Sequence, residues 1–252
     1  MTKLRCDRTI LRVERRSITK DSSLIVYDAD RIVEPDYRLF EPEYWRQQGG
    51  LAGAAIGRGS AWFLETPFGS AVLRECLRGG FPARINRDRY FFTGWDKTRP
   101  VAEFRILEQL SGEGLPVPEP LAALARRRGL FYTGSLLTRK ISGALPLADL
   151  MVEKSERPRL WRRTGRCIRR FHDRGVVHAD LNARNILVDL EDRIFLIDFD
   201  RARIAPGRED AYQRNMQRLK RSFQKLWPRA IAGRMQPCWE DLMAGYRDGG
   251  TA

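Results

Sequence analysis

Residues 176 to 189 read VVHADLNARNILVD, and residues 194 to 200 read IFLIDFD. Between apolar runs the first stretch sets His178, Asp180, Asn182 and Asn185. Asp198 follows 13 residues after Asn185. Asn185 stands just before one short apolar strand, ILVDL, and Asp198 at the end of the next, RIFLIDF. A turn near Glu191-Asp192 makes the two strands a hairpin, which brings Asn185 and Asp198 together. A carboxylate and an amide oxygen are hard ligands of the kind Mg²⁺ takes. Asp180, a second carboxylate five residues before Asn185, is free to orient an attacking hydroxyl or accept its proton. An Asx-rich turn that satisfies only its own backbone would use the same residue types. The context argues for the chemical reading: a helix precedes the cluster, and a rigid hairpin follows it.

That preceding helix is RPRLWRRTGRCIRRFHDRG. Leu160, Thr164, Cys167, Ile168 and Phe171 fall on one face, arginines take the other, and Gly175 suits the C-terminus. After the hairpin, DAYQRNMQRLKRSFQKL is a helix with Tyr212, Met216, Leu219, Phe223 and Leu226 inward, and a last helix covers roughly 238 to 246. His178 is read as holding its loop, and His172 as packing or capping near the helix end.

The first half reads differently. SSLIVYDA is a strand, and EPEYWRQQ a short helix stopped at Gly49-Gly50. LAGAA, AWFLE and AVLRECL form an antiparallel meander whose first corner is Gly57-Arg58-Gly59-Ser60 and whose second is TPFGS. TRPVAEFRILEQLSGEG is an amphipathic helix with Val101, Phe104, Ile106, Leu107 and Leu110 on its apolar side. LPVPEPLAAL reads as a Pro-punctuated crossing segment, LFYTGSLLTRKI as a strand, and ISGALPLADLM as a turn into a further helix. A hinge is expected near residues 140 to 146.

The chain has 252 residues and a formal net charge of +14. Such a charge favours polyanionic partners, whether nucleic acid, anionic lipid or a phosphorylated substrate. Cys6, Cys76, Cys167 and Cys238 form no C-x-x-C pair, and with two histidines they fit no familiar zinc spacing. Reduced thiols and a cytoplasmic setting are expected. The N-terminus has no apolar core of a secretory signal. No apolar run reaches the ~18 residues that span a bilayer.

The residues H-A-D-L-N-A-R-N and D-F-D resemble the catalytic loop and metal motif of the protein-kinase-like superfamily, H-x-D-x-x-x-x-N followed by D-F-G. The resemblance implies an α+β, bilobal kinase-like fold. Residues 1–140 would form an antiparallel-sheet N-lobe with one main helix, and residues 141–252 a mainly helical C-lobe, together one catalytic domain. It implies that Gly57, Gly59 and Ser60 cover the phosphates of ATP and that Asn185 and Asp198 hold Mg²⁺. It implies further that the third meander strand carries a phosphate-binding cation. Most kinases have lysine there; this chain has Arg74, which keeps the charge and adds a bidentate fork. The partner acid is Glu103, or failing it Glu108. The glycine of D-F-G is Asp200. No A-P-E motif follows, and IDFDRARIAPGRED leaves no room for a long activation segment.

More specifically, GRGSAWF, VLRECLRGGFPARINRDRYFFTG, TRPVAEFRILEQL, GLPVPEPLAA, GVVHADLNARNILVD, FLIDFDRAR and NMQRLKRSF stand in the order of the 3-deoxy-D-manno-octulosonic acid (Kdo) kinase family and cover about residues 40 to 226. An arginine at the Arg74 position is similar to that family, and HADLN favours it over the related heptose kinases. The resemblance implies ATP-dependent phosphorylation of a Kdo hydroxyl, O-4, on Kdo–lipid A in lipopolysaccharide assembly. It places the enzyme peripherally at the cytoplasmic face of the bacterial inner membrane, with an anionic membrane surface rather than nucleic acid as its partner. Arg184, Arg201, Arg203, Arg218 and Arg221 are candidate cations for the anionic acceptor. Three other readings remain: an aminoglycoside-type kinase of a soluble sugar, an atypical protein kinase of the Rio or Bud32 type, and a non-catalytic basic adaptor.

Overall fold

The strand foreseen at SSLIVYDA is β2 (Ser23–Asp28), which pairs antiparallel with β1 (Arg15–Lys20) in the computed structural model. The structure describes residues 15–55, 61–76, 90–153 and 156–249. All of β2 is buried, because both faces of its sheet are covered. Leu24 and Val26 enter one core; Ile25 and Tyr27, a residue out of phase, enter another. Period-2 alternation thus sends one strand into two cores.

Four further elements extend the first half: α1 (Pro42–Gln47), β3 (Leu51–Ala55), β4 (Ala61–Thr66) and β5 (Gly69–Glu75). The three strands are the expected meander, with Ala61 opposite Arg74 and Leu64 opposite Ala71. Next come β6 (Tyr90–Phe91), α2 (Arg99–Gly112), β7 (Pro120–Arg128) and β8 (Phe131–Arg139). The sheet runs β1-β2-β7-β8-β5-β4-β3, antiparallel throughout, with β6 on the far end of β8.

Two expectations fail here. LPVPEPLAAL is not only a crossing segment, since β7 begins within it and lies between β2 and β8. Its proline is the first residue of the strand, where a missing N–H is tolerated. ISGALPLADLM does not become a helix. It gives a two-residue strand, β9 (Leu145–Pro146), and hydrogen-bonded turns. Leu147, Leu150 and Met151 are buried at helical spacing. Their backbone is claimed elsewhere, however: Leu147 N–H donates to Ile186 and Ala148 N–H to Ala183.

Helix α2 lies on one sheet face. Pro100 sits in its first turn, and Val101, Phe104, Leu107 and Leu110 are buried with Leu136 of β8 and Ala123 of β7. Fully burying a side chain such as Phe104 contributes about 1.5–3 kcal/mol. The opposite face packs on α1, whose Trp45 donates its indole N–H to Leu39 and meets Phe68 edge-on.

The second half holds α3 (Pro158–Asp173), β10 (Val176–Val177), β11 (Ile186–Val188), β12 (Ile194–Leu196), β13 (Arg203–Ile204), α4 (Glu209–Leu226) and α5 (Met235–Asp248). α5 is longer than its sequence pattern showed, and β10 pairs with β13. The core that α2 shares with the sheet continues through Leu115 and Val117 into α3, the β11–β12 hairpin and α4.

α3 and α5 touch backbone to backbone. A Cβ on Gly165 would lie 1.9 Å from the Leu242 carbonyl oxygen, and one on Gly245 would lie 2.0 Å from that of Arg162. Neither contact can relax without moving a helix. Gly165→Ala should therefore separate the helices and cost about 1–3 kcal/mol, as overpacking does. Urea-denaturation midpoints of the variant and the parent check this. Equal midpoints would mean that the crossing is not tight.

Candidate active site

Glu103 sits on the buried face of α2, between Val101 and Phe104, and is 2% exposed. A carboxylate there is costly without a partner. Its partner is Arg74, which reaches it from the C-terminal end of β5. The pairing falls to Glu103, the first of the two candidate acids. The other arm of the same guanidinium donates to Asp198 Oδ1 at 2.5 Å. One cation thus joins the sheet, α2 and the segment after β12.

Burial works against the Arg74 charge, but the fields of Glu103 and Asp198 outweigh it and hold the guanidinium above its ordinary value. Glu103 is pushed up to about 7, first by burial and then by Asp198 and Asp200, with Arg74 opposing. One oxygen of Glu103, Oε2, is buried without a hydrogen-bond partner.

The hairpin works as its spacing implied. Ile186 pairs with Leu196, and Ile197 N–H donates to the Asn185 carbonyl at 3.0 Å. Asn185 and Asp198 therefore line the same cavity, of about 380 Å³. Asn185 Nδ2 donates to the Asp180 carbonyl at 2.9 Å, leaving Oδ1 as the oxygen available to a cation. Asp198 takes the left-handed backbone, φ +66°. That region is strained for a residue with a Cβ, though aspartate tolerates it better than most.

These features fit a divalent cation. Asn185 Oδ1 and the Asp198 carboxylate, both in the cavity wall, are hard oxygen donors. Two protein oxygens would suffice, because Mg²⁺ keeps waters and takes phosphate oxygens for the rest.

His178 is 2% exposed. Its Nδ1 accepts the Asp180 N–H at 3.1 Å, and its Nε2 faces the Ile197 carbonyl at 3.0 Å. Those partners define the neutral ring protonated on Nε2. Burial agrees, lowering its pKa. The ring also lies against Phe199. His178 therefore holds the loop that presents Asp180.

Asp180 itself is exposed, with Arg218 of α4 3.4 Å from its Oδ1. Asn182 closes the loop: its Nδ2 donates to the Asp180 carbonyl, and its Oδ1 accepts the Arg184 N–H.

Sequence reasoning missed the brace behind this loop. Asn215 of α4 accepts the His178 N–H at 3.0 Å and donates to its carbonyl at 2.7 Å. Ser222, two turns on, accepts the Ala183 N–H. The available signal was an asparagine beside the inward positions Tyr212 and Met216. His172 packs, as expected, stacked on Tyr212 and bonded to Tyr246.

Of the candidate acceptor cations, Arg184 lines the cavity and Arg218 touches Asp180. Arg201, Arg203 and Arg221 are exposed farther along. Gly57, Gly59 and Ser60 lie outside the described residues.

A sequence model of the lipopolysaccharide kinase (Kdo/WaaP) family matches residues 42–246. A 3-deoxy-D-manno-octulosonic acid kinase of Actinobacillus succinogenes is 42% identical over 213 residues, 81% of this chain and 88% of its own length. One from Stenotrophomonas maltophilia is 49% identical over 170 residues, 68% of each chain. One from Vibrio cholerae is 41% identical over 182 residues, 72% of this chain and 77% of the relative.

A carboxyl whose pKa is raised by folding stabilises the fold fully below its unfolded value and loses that contribution as pH rises through its folded value. For Glu103 the window runs from 4.5 to about 7. Glu103→Gln cannot titrate. Its stability relative to the parent should therefore improve steadily as pH rises across that window, read by thermal melts at fixed ionic strength. A difference that does not vary with pH would contradict the raised value.

Proposed function

The chain belongs to the lipopolysaccharide kinase (Kdo/WaaP) family and is a phosphotransferase with an alcohol acceptor; from that premise we propose that it transfers the γ-phosphoryl group of ATP to a Kdo hydroxyl, O-4, of Kdo–lipid A. The observation that carries this reading is the cavity whose wall holds Asn185 and Asp198 together with Arg74 and Glu103, with the Asp180 carbonyl bonded to Asn185 Nδ2 beside it.

We place the adenine between the apolar side chains of Val72 and Leu136 on one side and Leu187 and Ile197 on the other. The cavity volume suits such a ligand, because pockets of roughly 300–1,000 Å³ bury molecules of that size. Arg74 then meets the phosphates with a fork rather than a point charge. Glu103 keeps that fork aimed. Asn185 and Asp198 would hold Mg²⁺, which supplies charge neutralisation at the β- and γ-phosphates.

Asp180 faces the acceptor at the open rim. It orients the sugar hydroxyl in line with the γ-phosphorus and accepts its proton late in the transfer. His178, Asn182 and Asn185 hold its backbone, and Asn215 holds that of His178, so little reorganisation is needed at the moment of reaction. Arg184 and Arg218 stand on the acceptor side and suit the Kdo carboxylate.

In the same reading, residues 1–140 and 141–252 are the two lobes of one catalytic domain, closing on the cavity between them. The enzyme works in lipopolysaccharide core assembly, peripherally at the cytoplasmic face of the inner membrane. The net charge of +14 supports an anionic surface as partner. Each Lys or Arg near such a surface contributes about 1 kcal/mol. Among the described residues no helix is long and apolar enough to cross a membrane.

Purified protein incubated with labelled ATP, Mg²⁺ and Kdo–lipid A should label the lipid. Asp180→Ala should slow transfer by about 10²–10⁴-fold, the range for loss of a general base. Label appearing instead on a free aminoglycoside or on protein would overturn the acceptor. Undiminished transfer by Asp180→Ala would overturn the role of that carboxylate.

A further inference from the structure

Asp200 occupies the position where D-F-G has glycine, and its side chain does not point idly to solvent. Its Oδ2 accepts from Arg99 Nη1 at 2.8 Å, with both side chains only about a quarter exposed, at 24% and 25%. Its Oδ1 is buried without a hydrogen-bond partner. Arg201 lies farther off, at 3.7 Å, and is largely exposed. Arg99 is therefore the principal partner of Asp200.

Arg99 is itself held on three sides. It is the first residue of α2. Its guanidinium lies 4.3 Å from the centroid of the Tyr90 ring, and its backbone N–H donates to the Tyr132 hydroxyl at 3.0 Å. Tyr90 and Tyr132 stack on each other across β6 and β8. Phe199, between Asp198 and Asp200, is fully buried against Phe171 and His178. Both ends of the Arg99–Asp200 contact are thus anchored on rigid parts of the fold.

The contact closes a ring. Arg99 and Glu103 stand four residues apart on α2, hence on one face. Arg99 grips Asp200, and Glu103 grips Arg74. Arg74 in turn grips Asp198, two residues before Asp200. Two links therefore join α2 to the 198–200 segment. One of them cannot persist in a nucleotide complex as it stands. If Asp198 binds a cation and Arg74 binds phosphate, each must loosen its hold on the other.

We propose that Arg99 and Asp200 are a positioning pair for phosphoryl transfer: a strap that keeps α2 seated against the 198–200 segment when Asp198 and Arg74 turn to metal and phosphate. With the strap in place, Glu103 continues to aim Arg74 after Asp198 has let go. The aspartate that replaces glycine then has a function, supplied by an arginine at the start of α2. This inference rests on the reading of Asp198 as a metal ligand given above.

The test uses the full chain with ATP, Mg²⁺ and Kdo–lipid A, and separately with Mg²⁺ and a non-hydrolysable ATP analogue but no acceptor. Arg99→Met and Asp200→Asn should each lower kcat about tenfold or more, while KM for ATP moves less than about threefold. Melting temperatures should change little, since a partly exposed pair contributes little to global stability. Hydrogen exchange across residues 99–112 should quicken in both variants once the Mg²⁺–nucleotide analogue is bound, while α3 stays as protected as in the parent. The exchanged pair Arg99→Asp with Asp200→Arg should recover part of the lost kcat, and Arg99→Lys should keep most of it.

Single variants within about twofold of the parent in kcat would overturn the proposal. So would unchanged α2 exchange, or activity lost only in proportion to a fall in melting temperature. The exchange arm needs no acceptor, so a failure of Kdo as substrate leaves it standing. Normal transfer with unaltered α2 exchange in the variants defeats the strap alone.

Discussion

The Arg74 guanidinium is the point through which the rest of the site is organised. A carboxylate on the buried face of α2 is costly unless a cation reaches it, and here Arg74 does so from the sheet. β5 is an interior strand, paired with β4 and β8, so the backbone of Arg74 is fixed by its ladder on both sides. Its second arm takes Asp198, and the 198–200 segment is in turn fixed by Phe199 in the core. Sheet, helix and hairpin meet at one charge. Removing Arg74 would leave the buried Glu103 carboxylate uncompensated, at a cost of about 3–5 kcal/mol.

The same economy governs the loop that carries Asp180. Its polar groups are not held by one another alone. His178, neutral and buried, spends one ring nitrogen on the Asp180 backbone and the other on the hairpin. Asn215 returns both hydrogen bonds of the His178 backbone from α4. The result is an exposed carboxylate on a backbone whose N–H and carbonyl are both bonded. Burial, with the fields of Asp198 and Asp200 added, pushes Glu103 up, and the oxygens of Asn185 and Asp198 that line the cavity suit a divalent cation.

Legibility in the sequence followed the range of the interaction. The meander, α2, α3, the hairpin and α4 were readable, because periodicity and glycine punctuation act within a few residues. So was the approach of Asn185 to Asp198, because a hairpin carries its own register. β7 was obscured by prolines near its start, and the buried leucines of 147–151 imitated a helix until their backbone was seen bonded to the loop and β11. Asn215 and Ser222 looked like ordinary polar positions on α4. Their partners lie 37 and 39 residues away, which no local pattern encodes.

By itself, then, the sequence determined the residue types of the site, the spacing that brings Asn185 to Asp198, and the family resemblance that the relatives support. It left two acids open as partners for Arg74 and gave Asp200 only as a departure from D-F-G. The tertiary structure decided both. Glu103 is the acid whose helical face turns toward β5, and Asp200 is the one that meets the start of α2. The physical reason is that charge pairing depends on distances of a few ångströms between distant segments. Those distances are set by how α2 lies on the sheet and how the hairpin packs beneath it.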